Sequence, residues 1–321
     1  MRVAVLGAGR IGQVHAPNIN AHEGSEIAAV VDPYAPAATA LAEKYGAAVM
    51  EEDAAIADPS IDAVLIASST NRHADQAEKA AKSGKAIFCE KPVDLSMARV
   101  EAVAEVLRSH PVPFMLGFNR RFDPNFAAMK AQIGGGAIGQ VEMVTILSRD
   151  PSAPPIDYIK VSGGLYRDMM IHDFDMARWL VGEEFPELSA YGAVHVDQEI
   201  GVAGDIDTAM VTMKSASGIL VNISNSRRAT YGYDQRIEVH GSKGMVSADN
   251  VRESTMVLAT EDGVRLEKPK HFFLERYAAA YAREWDTFVS LVKGEAVDAP
   301  GIAQGIASLA LADRAVAAAG G

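Results

Sequence analysis

A glycine-rich turn near the N-terminus restricts the possible folds more than any other feature of the sequence. Residues 2–6 form a short β-branched run, and a helical stretch lies a few positions further on. The two are joined by Gly7-Ala8-Gly9-Arg10-Ile11-Gly12. In a strand–turn–helix context, Gly7 permits the tight turn, Gly9 lets backbone approach a pyrophosphate, and Gly12 lets helix and strand pack closely. The segment, including Arg10 and Ile11, is predicted to hold a dinucleotide at the N-terminus of the helix.

An acidic residue about 20 positions after the last glycine indicates which dinucleotide binds. Residues 27–31 predict a second strand, and Asp32 follows it. A carboxylate there accepts hydrogen bonds from the adenosine ribose hydroxyls and repels a 2′-phosphate. No Arg or Lys follows directly, since the next residues are Pro33, Tyr34 and Ala35. The predicted cofactor is therefore NAD rather than NADP. The alternative is a surface aspartate in a glycine-rich turn.

Further βα units predict a doubly wound parallel sheet, the Rossmann class of α/β fold. Residues 36–45 predict a helix that stops at Gly46, and strands are predicted at residues 63–67, 85–89 and 114–118. Ligands of such sheets bind beyond the carboxyl ends of the strands. The polar residues that follow the strand at 63–67 are therefore candidate cofactor ligands: Ser69, Thr70, Asn71 and His73. Capping of the next helix by Thr70 or Asn71 is an equally good explanation.

A lysine follows the strand at 85–89, in the turn Glu90-Lys91-Pro92. The X-Pro bond predicts a defined turn and is compatible with a cis peptide. An ammonium at this end of the sheet can stabilise an alkoxide or polarise a carbonyl beside the nicotinamide, and Glu90 is predicted to contact the cofactor with it. A surface lysine is the alternative. Cys89 is predicted to be a buried strand residue rather than a nucleophile.

The rest of the chain predicts a second domain of the α+β class. We place the NAD-binding domain at residues 1–120 and the second domain at 121–321. Turns at Ser217-Gly218 and Ser242-Lys243-Gly244 predict antiparallel hairpins, and the strands form a large open, mostly antiparallel sheet. Helices are predicted at residues 277–293 and 302–319. Strands are predicted at residues 141–148, 190–196, 208–213, 219–226, 235–240, 244–248 and 255–258. A sheet covered on one face leaves the other for a partner subunit, so we expect a homo-oligomer.

Residues 163–180 are predicted to be a loop feeding one helix, because no Gly or Pro follows Gly164 until Gly182. Asp168 and His172 are four positions apart, so on one helix they share a face. A carboxylate beside an imidazole can fix a tautomer and tune a general base. A solvated acid and a capped or core histidine are the alternative. A metal site at His172, Asp173 and Asp175 is not expected, since the helical spacing puts them on different faces.

Composition excludes several classes of partner. The net charge of -12 argues against nucleic acid and anionic membranes, which need clustered Lys and Arg. A single cysteine excludes an intramolecular disulfide and a Cys-based zinc cage. With no secretory leader and no apolar run of membrane-spanning length, we expect a cytoplasmic protein.

Arginines and tyrosines are concentrated in residues 227–234, between two predicted strands. Arg227, Arg228, Tyr231 and Tyr233 could present donors to a polyhydroxylated ligand. An exposed hairpin with aromatic packing explains the same segment equally well.

The chain resembles the glucose–fructose oxidoreductase/inositol dehydrogenase/rhizopine-catabolism family over nearly its whole length, and most of all the family's inositol-oxidising members. Two motifs mark the broad family, residues 7–12 and Glu90-Lys91-Pro92. Four motifs are more specific: Gly-Phe-Asn-Arg-Arg-Phe-Asp at 117–123, Ser-Arg-Asp-Pro at 148–151, Arg-Asp-Met-Met-Ile-His-Asp-Phe-Asp at 167–175, and residues 227–241.

The resemblance implies an NAD-dependent oxidation of inositol to 2-keto-myo-inositol in a homotetramer. It implies that Lys91, Asp168 and His172 are catalytic. It also implies that Lys91, Asp168 and His172 touch the substrate together with a further set: Arg121, Asp150, Asp157, Tyr231 and Tyr233. Two alternatives stay open. One is the same chemistry on scyllo-inositol, D-glucose or a related polyol, and the other is an NAD-binding sensor without catalysis.

Overall fold

The computed structural model describes residues 1–320, which divide into two compact units. The first contains Met1–Phe122 and Ala280–Leu309, and the second contains Asp123–Ala279 and the residues from Ala310 onward. The sequence-based division at residue 120 had assigned residues 280–309 to the second domain. They belong to the first unit because the rings of Trp285 and Phe288 pack on Phe88, with centroids 6.0 and 5.6 Å away.

The first unit is built on a six-stranded parallel sheet. Its strands are β1 (Arg2–Leu6), β2 (Glu26–Val31), β3 (Ala48–Val49), β4 (Ala63–Ile66), β5 (Ala86–Cys89) and β6 (Phe114–Leu116). The spatial order is β3-β2-β1-β4-β5-β6. The order reverses between β1 and β4, and a doubly wound sheet binds its ligand at such a switch point. β1, β4 and β5 are almost entirely buried apolar residues, as expected for strands covered on both faces. The predicted Rossmann-type α/β fold is confirmed.

Helices connect these strands, and some of them were not identified from the sequence. They are α1 (Arg10–Ala21), α2 (Ala35–Tyr45), α3 (Glu52–Ala57), α4 (Thr70–Lys82) and α5 (Met97–Ser109), followed by a 3₁₀ helix at Asn119–Phe122. The two-residue β3 and six-residue α3 are too short to show a period. In α5 only Val100 and Val103 are buried, so its apolar face is faint in the sequence.

The second unit contains a six-stranded mixed sheet. Its strands are β7 (Val141–Arg149), β8 (Glu187–Ala193), β9 (Thr208–Lys214), β10 (Leu220–Ser226), β11 (Asp234–Gly241) and β12 (Gly244–Ala248). The order is β12-β11-β7-β10-β9-β8, and every neighbouring pair is antiparallel except β7 and β10. The predicted open, mostly antiparallel sheet is confirmed.

Two strands depart from the prediction. β8 ends at Ala193 rather than residue 196, because the carboxylate of Asp207 accepts the N–H groups of His195, Val196 and Asp197 and turns the chain away from the sheet. The strand predicted at 255–258 is β13 (Val257–Thr260), which pairs only with β14 (Gly263–Leu266) in a separate hairpin.

The helix predicted over residues 163–180 is two helices. The helices after the 3₁₀ helix, in chain order, are α6 (Pro124–Gly134), α7 (Ile156–Ser162), α8 (Gly164–Asp168), α9 (Ile171–Val181), α10 (Gln198–Val202), α11 (Phe273–Arg276), α12 (Ala278–Val292) and α13 (Ile302–Ala318). The predicted helix corresponds to α8 and α9. The chain turns at Met169 and Met170, whose N–H groups both bond to the carbonyl of Leu165. Asp168 therefore ends α8 and His172 lies in the first turn of α9, so the argument from a shared helical face does not apply.

The two faces of the mixed sheet differ in character. The inner face of the sheet buries apolar side chains such as Val144, Ile146 and Ile223. α9 likewise buries apolar side chains, among them Phe174 and Leu180. The outer face exposes a set of large apolar side chains: Met143, Tyr191, Met210, Leu220 and Met245. Within residues 1–320, no helix combines the length and the apolar character that crossing a bilayer requires.

A buried carboxylic acid lies in the first unit. Glu284 of α12 is fully buried, and neither of its carboxyl oxygens has a hydrogen-bond partner among the described residues. Burial, and after it the charge of Glu90, raises the pKa of Glu284 well above its ordinary value. Glu90 itself is paired with His15, whose Nε2 lies 2.6 Å from Glu90 Oε1.

Glu284→Gln is expected to stabilise the protein at neutral pH. An unfolded chain releases the glutamate proton near pH 4.3, whereas folded Glu284 keeps it to higher pH. The stability of the wild type therefore falls as the pH rises from about 4 through the raised pKa, by about 1.4 kcal/mol per unit of the shift, and glutamine escapes this loss. Thermal unfolding from pH 4 to 8 should show a growing advantage for the variant. The exposed Glu43→Gln is the control, and an advantage that does not change with pH would contradict the argument.

Candidate active site

The three glycines of the turn at residues 7–12 have different roles. The fold requires Gly7 and Gly12, whereas a bound ligand would require Gly9. Gly7 has φ +109°, and a Cβ there would lie 2.5 Å from the carbonyl oxygen of Ala67. A Cβ on Gly12 would lie 1.9 Å from the carbonyl oxygen of Gly7. Gly9 is exposed, has φ -70°, and a Cβ there would meet nothing within 4 Å. The open space beside Gly9 suits the backbone-to-pyrophosphate approach of a dinucleotide site.

The start of α1 offers donors for an anion. Gly9 is its N-cap, and no side chain caps the helix. Helix geometry leaves the N–H groups of the exposed Arg10, the half-buried Ile11 and Gly12 without a carbonyl in the preceding turn. The macrodipole adds partial positive charge at the same place, so the residues fit a bound pyrophosphate.

Asp32 is held beside this turn. Its Oδ2 accepts from Ala8 N at 2.7 Å, and its Oδ1 accepts from Tyr34 N at 2.8 Å. Each oxygen keeps a second lone pair, and the residue is only half-buried. The carboxylate is therefore oriented by backbone and able to accept ribose hydroxyls.

The loop after β4 and the start of α4 contain the predicted cofactor residues Ser69, Thr70, Asn71 and His73. Ser69 is the N-cap of α4 without a side-chain cap bond, so the capping role suggested for Thr70 or Asn71 is not seen. His73 is buried, with Nδ1 2.8 Å from Pro92 O and Nε2 3.0 Å from Ser68 O. Its ring joins the loop after β4 to the loop after β5, and its predicted contact with the cofactor stays a prediction.

Lys91 is the second residue after β5 and follows Glu90. The Lys91–Pro92 peptide is cis, as the sequence allowed. The carboxylate of Glu90 turns into the unit, where Oε1 meets His15 and Oε2 accepts from Lys91 N at 3.3 Å. Cys89 is fully buried, and burial followed by the charge of Glu90 raises the pKa of its thiol well above the ordinary value, which agrees with a structural cysteine.

Asp168 lies in a nearly buried ionic group of the second unit. Its Oδ1 accepts from the hydroxyl of Tyr158 at 2.7 Å. Its Oδ2 lies 3.5 Å from Nη2 of Arg227, and 13% of the Asp168 side chain is exposed. Neither Tyr158 nor this role of Arg227 was identified from the sequence. Tyr158 belongs to α7, which was not predicted because it borders a proline-rich segment. Arg227 directly follows a strand, a position typical of an exposed loop residue.

The first turn of α9, which contains His172, is anchored to the mixed sheet through Asp173. The fully buried Asp173 accepts from Ser148 Oγ at 2.6 Å and from Asn225 Nδ2 at 2.8 Å. Ser148 pairs with both Asn225 and Gln235 in the sheet register, so three polar residues form one row on an otherwise apolar face. The row docks the first turn of α9 onto the sheet. Its sequence signal was available: polar residues stand where strand alternation calls for apolar ones.

The other predicted substrate residues differ in exposure. Arg121 is buried in the 3₁₀ helix, and Asp150 is half-buried at the end of β7. Asp157 is exposed and forms a 3.1 Å ion pair with Lys160. Tyr233 is buried and packs edge-on against Tyr277, with ring centroids 5.9 Å apart, so it is a core residue here.

The loop at 227–234 sends its side chains in different directions. Tyr231 is 43% exposed, donates to Asp234 Oδ2 at 2.6 Å, and has its pKa raised by burial and by this contact. It lines an open cavity of about 300 Å³ with Arg149, Arg228 and Thr230. Arg227 is buried instead. The described residues contain no cluster of three or more His, Cys, Asp or Glu side chains arranged for a metal ion.

The sequence is similar to those of known dehydrogenases over most of its length. The chain is 52% identical over 316 residues to the inositol 2-dehydrogenase of Rhizobium meliloti (strain 1021), covering 98% of this chain and 96% of that protein. It is 49% identical over 295 residues to the myo-inositol 2-dehydrogenase of Thermotoga maritima, covering 91% and 88%.

Solved structures are similar over the whole length. A myo-inositol dehydrogenase from Corynebacterium glutamicum superposes with a TM-score of 0.94 at 42% identity, covering 100% of this chain and 96% of that one. A scyllo-inositol dehydrogenase from Lactobacillus casei with bound NAD(H) and scyllo-inositol gives a TM-score of 0.92 at 28% identity, covering 99% and 96%.

Family models cover both halves of the chain. Residues 1–118 match the GFO_IDH_MocA model, described as an oxidoreductase family with an NAD-binding Rossmann fold, and residues 126–247 match the GFO/IDH/MocA C-terminal domain. The open glycine turn, the oriented Asp32 and these matches agree, and the chain belongs to the GFO/IDH/MocA family of NAD-dependent oxidoreductases.

Proposed function

We propose that this protein is an inositol 2-dehydrogenase that oxidises myo-inositol to 2-keto-myo-inositol (scyllo-inosose) with NAD. The observation that carries the proposal is the 52% identity, over nearly the whole of both chains, to a protein named for that activity. The site residues add chemical support, since the first unit has a dinucleotide turn and Lys91 while the second has Asp168 and His172.

The proposed mechanism removes two hydrogens from one ring carbon and its hydroxyl. Bound NAD, held by the turn at residues 7–12 and by Asp32, would supply the acceptor for the carbon-bound hydrogen and its electron pair. His172 takes the hydroxyl proton as general base, so that the C–O bond becomes a carbonyl. The ammonium of Lys91 offsets the negative charge that develops on the oxygen. Asp168 accepts a hydrogen bond from a neighbouring ring hydroxyl or orients the imidazole.

The proposal extends to organisation and assembly. Residues 1–120, with residues 280–309 of the same unit, would bind NAD, and the rest of residues 121–321 would serve substrate binding and oligomerisation. We propose a homotetramer. The outer face of the mixed sheet, whose exposed Met143, Tyr191, Met210, Leu220 and Met245 suit contact with a second copy, supports self-association. A cytoplasmic location is the expectation for such an enzyme with a nicotinamide cofactor.

A substrate panel tests the function. Myo-inositol, scyllo-inositol and D-glucose are each supplied with NAD and with NADP, and reduced cofactor is followed at 340 nm. Myo-inositol with NAD should give the highest kcat/KM. With NADP the kcat/KM should be at least about tenfold lower, because Asp32 repels the 2′-phosphate. Preference for scyllo-inositol or glucose would identify a dehydrogenase of another polyol. No reduced cofactor with any polyol would indicate the sensor.

A further inference from the structure

Arg227 is almost completely buried although it follows β10 as the first residue of a loop. Its side chain is 1% exposed, and its backbone N–H donates to Asp207 O at 2.8 Å. Burying a guanidinium is costly unless negative charge compensates it. The compensation comes from two carboxylates, since Nη2 lies 3.5 Å from Asp168 Oδ2 and 3.4 Å from Asp205 Oδ2.

Asp205 is the fixed member of this group. Its Oδ1 accepts from Leu165 N at 2.9 Å, in the first turn of α8. Gly164, with φ +84°, gives it room, since a Cβ there would lie 2.8 Å from the same oxygen. Burial and the charge of Asp205 raise the pKa of Tyr166 to about 12, so this phenol stays neutral beside it. Asp205 therefore holds the beginning of the helix whose last residue is Asp168.

We infer that Arg227, anchored by Asp205, is a positioning residue that fixes the carboxylate of Asp168 for the reaction. The guanidinium links the two ends of α8, and the Tyr158 hydroxyl holds the other oxygen of Asp168. A five-residue helix has too few hydrogen bonds to set the direction of its last side chain by itself. The ionic link supplies that direction. This inference rests on the proposed dehydrogenase function.

A double-mutant cycle separates positioning from general stability. Arg227→Lys keeps the charge, but its shorter side chain does not bring a nitrogen to the position from which Nη2 contacts both carboxylates. It should lower kcat for myo-inositol about 100-fold, the order expected when a reacting group is misplaced by about 1 Å. In an Asp168→Asn background, the same change should cost less than about threefold, because its target is already removed. The affinity for NAD should stay unchanged in all variants.

Two further variants complete the cycle. Asp205→Asn should show the same dependence on Asp168 if the anchor acts through Arg227, and it replaces Arg227→Lys should that protein fold poorly. Arg178→Lys, at an ion pair with the exposed Glu184, is the matched control and should leave kcat unchanged. An equal loss of kcat in both Asp168 backgrounds would show a merely structural arginine and overturn the inference.

The same cycle is run with urea unfolding, which needs no turnover. Coupling between Arg227 and Asp168 in the free energy of unfolding supports the ionic link, and additive costs overturn it. If the wild type oxidises no polyol, the proposed function fails on its own, and the unfolding cycle still decides whether Arg227 holds Asp168.

Discussion

Lys91→Ala is expected to lower kcat for inositol oxidation by about 10³-fold while the Kd for NAD stays within about threefold. Removing one preorganised group that stabilises developing charge costs about 10²–10³ in kcat, and loss of a proton relay adds to this. His172→Ala should cost about 10²–10⁴, because the hydroxyl proton loses its acceptor. Steady-state kinetics and NAD titration of each purified variant give both quantities.

The control for Lys91 is Lys82→Ala. Lys82 is exposed at the end of α4 and lies 3.7 Å from Glu78 in a surface ion pair, so its removal should leave kcat and NAD binding unchanged. Turnover that survives in both Lys91→Ala and His172→Ala would remove these residues from the mechanism. Loss of NAD binding in Lys91→Ala would instead point to a role in the cofactor site.

Gly9→Ala and Gly12→Ala should fail in opposite ways. At Gly12 a methyl group would lie 1.9 Å from a backbone oxygen that cannot move without breaking the turn, so a loss of about 3 kcal/mol or more in stability is expected. At Gly9 the methyl group has free space in the folded chain, so the thermal midpoint should not change. It would occupy the space for the pyrophosphate, and the Kd for NAD should rise at least about tenfold.

Thermal unfolding and calorimetric NAD titration measure the two effects side by side. Gly134→Ala near the end of α6 is the control, since a methyl group there contacts nothing within 4 Å and both properties should stay at the wild-type values. Wild-type affinity in Gly9→Ala would mean that the dinucleotide does not pass over this glycine.

Local chemistry explains what could be predicted from the sequence. The turn at residues 7–12 and the carboxylate of Asp32 depend on neighbours within one βα unit, and the structure has the strand, turn and helix that the motif requires. Alternation along β9, β10 and β11 places alternate side chains on a buried face, so these strands were located to within one residue.

Contacts between distant segments explain what could not be predicted. The spacing of Asp168 and His172 suggested one helix, but the chain breaks at Met169 and Met170 without a glycine or proline to signal it. The amphipathic α12 was recognised, but periodicity identifies its apolar face and not the surface that it covers. The inward turn of Arg227 likewise depends on Asp205, which is 22 residues away in sequence.

The polar row on the mixed sheet indicates which residues an enzyme-engineering library should keep and which it can vary. Ser148 and Asn225 hold Asp173 from the sheet, so the first turn of α9, which contains His172, is anchored to the sheet. Asp157 and Tyr158 of α7 are exposed and face fewer packing constraints. Libraries that alter ring stereopreference should therefore randomise the α7 segment, keep Tyr158 for its bond to Asp168, and leave the strand residues beneath α9 untouched.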